Sequence, residues 1–96
     1  GISEYAAPGI PSLKCAAKDA QQVAEYLRSQ PDIDFSGDRV SVLPDGQATL
    51  RGILGGLDRL RTQCTLSTDA DPLAVVYFSG HGMPDPAGRH FLVPHD

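Results

Sequence analysis

The chain has 96 residues, 41% of them hydrophobic, two cysteines and a net charge of −4. One domain at most fits that length, and burial of only ~60–68% of the unfolded surface makes it a marginal folding unit. Eight scattered Lys and Arg residues make no basic stripe for nucleic acid, and the longest apolar run, 73–78, is far too short to cross a bilayer.

Residues 1–12, "GISEYAAPGIPS", read as loop from their prolines and glycines. A helix follows over about 14–29, where Ala20, Val23, Ala24 and Leu27 form an apolar stripe opposite Lys18, Gln21, Gln22, Glu25 and Arg28. Ser12 is the candidate N-cap and Pro31 ends the run. "PDIDFSGD" reads as a surface connection. Its Asp32, Asp34 and Asp38 lack the spacing and glycine of a calcium loop, so neither metal nor calcium activation is read into them.

"RVSVL" at 39–43 alternates like a strand and is closed by the turn residues "PDG". A second helix is expected over about 49–63, capped by Thr49, burying Leu50, Ile53, Leu54, Leu57 and Leu60. Gly52, Gly55 and Gly56 weaken it by up to ~1 kcal/mol each against alanine, so packing must hold it, and they admit a close backbone neighbour. After the loop "LSTDADP", the β-rich run at 73–78 predicts a strand buried on both faces, and "RHFLV" at 89–93 a further strand beyond the turn "MPDPAG". Strand and helix in alternation predict an α/β domain with a mostly parallel sheet.

In such sheets reactive groups gather at the carboxyl ends of the strands, where Ser79–Gly80–His81–Gly82 would lie. Imidazole is the side chain best suited to moving protons near neutral pH, and a glycine amide beside it can stabilise a carbonyl oxygen as it turns negative. A histidine between two glycines is, equally, a turn residue that tolerates unusual dihedrals. Asp19 has two readings as well: a helix's first turns favour an acid through the macrodipole, and the second reading comes from the likeness below. Cys15 and Cys64 lack metal-site spacing and suit small hydrophobic filler in a reducing, cytoplasmic setting. His90 and His95 make no metal site with His81.

With its flanks, "YFSGHG" resembles the histidine motif of the caspase-like cysteine peptidases, the clan of caspases, metacaspases and bacterial relatives. "GISEY" at 1–5, "LKCAAKDA" at 13–20, "VSVLPDGQATLRGIL" at 40–54 and "FLVPHD" at 91–96 follow in family order. The related CHAT peptidases usually carry an alanine where Ser79 stands and are the second choice. The resemblance implies a three-layer α/β/α sandwich with a mostly parallel sheet, incomplete here, residues 1–96 being the large-subunit part of one peptidase domain. It implies that His81 is the base and acid of a Cys–His dyad, that the Gly82 amide helps form the oxyanion hole, and that Ser79 and Asp19 line the pocket for the substrate residue before the cut.

The nucleophile is expected ~50 residues after the histidine, beyond Asp96. The resemblance also makes Gly1 and Ile2 the last residues of a strand whose body is absent, so the chain is expected to be a fragment. No arginine precedes Asp19–Ala20 to grip a substrate carboxylate, and an acidic pocket points to cleavage after arginine or lysine. The expected partners are a protein or peptide substrate and the rest of the domain, with no nucleic acid, membrane or cofactor; the short Ala/Gly/Asp/Arg-rich loops read as bacterial. A caspase-like scaffold without a nucleophile, and an unrelated α/β binding domain with an incidental histidine, are the competing readings.

Overall fold

The computed structural model describes every residue except Ser36, so that part of the "PDIDFSGD" connection lies outside the described residues. Two α-helices form, α1 (Ala16–Arg28) and α2 (Leu50–Leu66), with single 3-10 turns at Gly37–Arg39 and Asp45–Gln47. A hairpin of β1 (Gly82–Pro84) and β2 (His90–Leu92) completes the described structure, paired antiparallel with Gly82 opposite Leu92, Met83 opposite Phe91 and Pro84 opposite His90.

α1 buries Ala20 and Ala24 of its expected stripe, together with Ala16 outside it, while Val23 and Leu27 are half-buried. Ser12 does not cap it. The Ser12 hydroxyl donates to Glu4 Oε2 (3.0 Å), and the first turn is satisfied from further away, by Ser3 Oγ accepting from the Ala17 N–H (3.0 Å). α2 begins as expected, with Thr49 Oγ1 accepting from the Gly52 N–H (3.0 Å). Its expected apolar face is not buried: Leu50, Leu54 and Leu57 are exposed, and Ile53 and Leu60 half-buried. Of the α2 glycines, Gly52 bears out the expected close approach, since a Cβ there would run into the Gln47 carbonyl oxygen. Gly55, in contrast, faces open space.

The α/β sandwich with a parallel sheet is overturned. The β1–β2 hairpin is the sheet among the described residues, and neither 39–43 nor 73–78 belongs to a strand ladder. A strand exists only through its ladder, and a run of apolar residues signals one only where partners are at hand. Here none are, so Leu73, Val75, Val76 and Tyr77 lie exposed instead of buried on both faces. β1 falls where the sequence reads only as a turn. Asp85 closes that turn: its backbone carbonyl accepts from Gly88 (2.9 Å), its Oδ1 from the Ala87 and Arg89 amides, and Gly88 takes φ 78°, a left-handed position that suits glycine.

The fully buried Ile2 and the buried Ala16, Ala20, Ala24 and Ala48 make up the core, so the amino-terminal segment lies at its centre. Asp45 fixes that segment. Its Oδ1 accepts from the Ser3 and Glu4 amides (2.7 and 2.9 Å), at a left-handed φ of 41° that aspartate tolerates better than most residues. These bonds, that to Glu4 foremost, hold its carboxyl below the ordinary 3.8 against the opposing effect of desolvation.

Candidate functional site around His81

Ser79–Gly80–His81 leads into the hairpin and lies against the amino-terminal segment. The Ser79 carbonyl accepts from the Ile2 N–H (2.9 Å), and the His81 carbonyl accepts from the Val93 N–H (2.9 Å). The His81 N–H is bound by the hydroxyl of Tyr5 (2.7 Å), whose ring stands 5.1 Å from the imidazole at 49°. Gly80 is required at this point, because a Cβ there would come within 2.8 Å of both Tyr5 Oη and Phe78 Cζ.

The imidazole, partly buried, has Nε2 at 2.8 Å from the Pro11 carbonyl oxygen. A carbonyl can only accept, so Nε2 carries the proton. In the neutral ring the lone pair is then on Nδ1. The contact also fixes the ring's direction, as a third group does in nucleophile–base pairs.

Register decides what the Gly82 amide can do. The Val93 N–H to His81 carbonyl bond makes Gly82 and Leu92 a non-hydrogen-bonded pair, so the Gly82 N–H points away from β2. It is left to a group approaching from outside, one residue from the imidazole.

Ser79, His81 and Gly82 are therefore brought together with Tyr5 and Pro11, two residues the sequence reading passes over. Tyr5 stands within the quoted "GISEY", and Pro11 reads only as a loop breaker. Asp19 is half-buried in the first turn of α1, and its amide donates to the Cys15 carbonyl (2.7 Å). Among the described residues no hydrogen bond joins its carboxylate to Ser79 or His81. Cys15 is exposed and Cys64 half-buried, both as free thiols. His95 serves the backbone, its Nδ1 lying 2.6 Å from the Glu4 carbonyl oxygen. Among the described residues no group of acids, histidines and cysteines could hold a metal ion. No helix of the described residues is long and apolar enough to cross a membrane.

A separate cleft of about 1250 Å³ opens between the helices and the stretches 39–43 and 73–78. None of Ser79, His81, Gly82 and Asp19 lines it. Comparison with protein families, with curated proteins and with solved structures finds no match to this chain.

Proposed function

We propose that the chain carries the base half of a caspase-like cysteine endopeptidase, with the nucleophile on polypeptide outside residues 1–96. The observation that supports this most is the Nε2–Pro11 contact, which leaves Nδ1 as the atom able to take a proton. In the proposed reaction Nδ1 removes the thiol proton of the incoming cysteine. The thiolate attacks the scissile carbonyl carbon, and the Gly82 N–H donates to the resulting oxyanion. Collapse breaks the C–N bond, the amine leaves with the Nδ1 proton, and water, deprotonated by the same nitrogen, hydrolyses the thioester. Ser79 and Asp19 are assigned to the pocket for the residue before the cut, where the aspartate favours arginine or lysine. The substrate is a protein or peptide, and the free thiols suit a reducing, cytoplasmic setting.

The test uses a polypeptide encoded through residue 96 and its continuation, assayed with fluorogenic peptides ending in arginine, lysine or aspartate. His81→Ala should lower turnover by about 10²–10⁴-fold, the usual contribution of a positioned acid–base group, with the fold retained. Undiminished cleavage, or a continuation with no cysteine, would sink the proposal. Cleavage only after aspartate would overturn the pocket assignment alone.

A further inference from the structure

The register of the hairpin sorts its side chains into two faces. The Val93 N–H to His81 carbonyl bond and the Asp85 N–H to Arg89 carbonyl bond (2.8 Å) frame the pairs Gly82–Leu92, Met83–Phe91 and Pro84–His90. Alternation along each strand puts His81, Met83 and Asp85 on one face, opposite Val93, Phe91 and Arg89. Pro84, His90 and Leu92 fall on the other. Two contacts agree with this division. The Arg89 guanidinium lies over the Phe91 ring, 5.5 Å from its centroid, as residues two apart on one face can. Leu92, from the other face, lines the cleft between the helices, which none of His81, Met83 and Phe91 touches.

The imidazole therefore shares its face with an apolar plate. Met83 and Phe91 stand directly opposite each other and are about half exposed (54% and 50%). The plate begins two residues from His81, roughly 7 Å along the strand. At its far end the charge of Arg89 is already matched, since Asp85 Oδ2 accepts from Arg89 Nε and lies beside Nη2 (2.7 Å each). A side chain arriving there meets a thioether and an aromatic ring rather than a free ion. The outer edge of β1 offers a peptide little beyond Gly82. Pro84 is the next residue whose backbone faces outward, and it has no N–H to donate. Selectivity along this hairpin must come from its side-chain face.

We infer that Met83 and Phe91 form the subsite for the first residue after the cut, and that they select an apolar side chain there, leucine or phenylalanine. The assignment rests on the Cys–His reading of His81. In that reaction the leaving amine departs with the proton held on Nδ1, so the residue bearing that nitrogen lies on the imidazole side of the scissile bond. Its side chain is the part of the substrate that the imidazole's own face of the hairpin meets first. The substrate is thus a peptide with arginine or lysine before the cut and an apolar residue after it.

The test uses the polypeptide encoded through residue 96 and its continuation, with internally quenched peptides that differ only in the residue after the cut: Leu, Phe, Gly, Glu or Lys. The native protein should favour Leu and Phe over the other three by at least about tenfold in kcat/KM. Met83→Ser with Phe91→Thr should bring that ratio below about threefold. Met83→Lys, a single change at an exposed position, should raise Glu relative to Leu by about fivefold or more, the most that one surface ion pair supplies together with the lost apolar contact. Equal cleavage of all five peptides by the native protein overturns the inference. So does a double variant that slows all five alike with the ratio kept, which is the mark of a merely structural role, or a Met83→Lys variant with the native preference. Failure of the underlying reading looks different: no peptide is cut, or His81→Ala cuts undiminished, whatever residue follows, and the subsite falls with it.

Discussion

Replacing Asp45 tests whether the amino-terminal segment is held as described, because the Asp45 carboxylate binds the two amides that precede Tyr5. Asp45→Ala removes one acceptor oxygen shared by the Ser3 and Glu4 N–H groups. Hydrogen bonds to a charged group contribute about 1.5–3 kcal/mol each when buried, and the half-exposed carboxylate reduces this to about 1 kcal/mol apiece. Alanine must also take the left-handed φ of 41°, at a further cost of about 1 kcal/mol. The expected loss is about 3 kcal/mol, or a fall in midpoint temperature of roughly 12–24 °C for a chain this size. Asp45→Asn separates these effects. It keeps an acceptor oxygen and tolerates the backbone angle, so it should cost about 1 kcal/mol. The pH dependence follows from the carboxyl being held below 3.8 in the fold. A depressed carboxyl stabilises the folded chain above its unfolded value, and that contribution disappears as pH falls through the folded value. Urea denaturation should therefore show a gap between the native chain and Asp45→Asn that is constant above about pH 5 and closes below about pH 4. A gap that persists unchanged into acid would refute the carboxylate clamp.

Tyr5→Phe keeps the ring beside His81 and removes the acceptor of its backbone N–H. It should cost about 1 kcal/mol, and exchange at the His81 amide should speed up; an unchanged rate would show that the hydroxyl does not hold it. Gly80→Ala forces a methyl within 2.8 Å of Tyr5 Oη and Phe78 Cζ, with an expected loss of about 1–3 kcal/mol by urea denaturation and displaced Tyr5 ring resonances. In ¹⁵N-histidine spectra of the neutral ring, His81 should show a protonated Nε2 and an unprotonated Nδ1. The reverse tautomer would contradict the Pro11 contact. Thr49→Ala should lower stability by about 1 kcal/mol and fray the start of α2, where the Leu50 amide is also held by Asp96 Oδ1 (2.7 Å).

Local signals in the sequence were legible where their cause is local. The period of α1, the Thr49 cap and the second short strand each depend on residues within a turn or two, and each is found within a few positions of its expected place. What depended on partners was not legible. Residues 73–78 carry the composition of a strand with both faces covered, but composition says only what a segment would accept as neighbours. Their exposure, and that of Leu50, Leu54 and Leu57, follows from the lack of covering elements rather than from any weakness in the pattern. The α1 cap failed for the same reason in miniature: the oxygen that binds Ala17 comes from Ser3, fourteen residues away, and no local spacing encodes it.

The site divides along that line too. A histidine between glycines is visible in any reading of the chain. What makes this one chemically specific is the carbonyl of Pro11, 70 residues away, and the hydroxyl of Tyr5, 76 away. A backbone carbonyl leaves no trace in residue identity, so the feature that selects the tautomer is the one a sequence conceals best. The same segment, residues 1–11, supplies Ile2 to the core, Tyr5 to the His81 amide and Pro11 to its ring. The structure therefore ties the orientation of the imidazole to the packing of a stretch that reads as featureless loop. A substitution that loosens this stretch at Asp45 should disturb the His81 ring before it unfolds either helix.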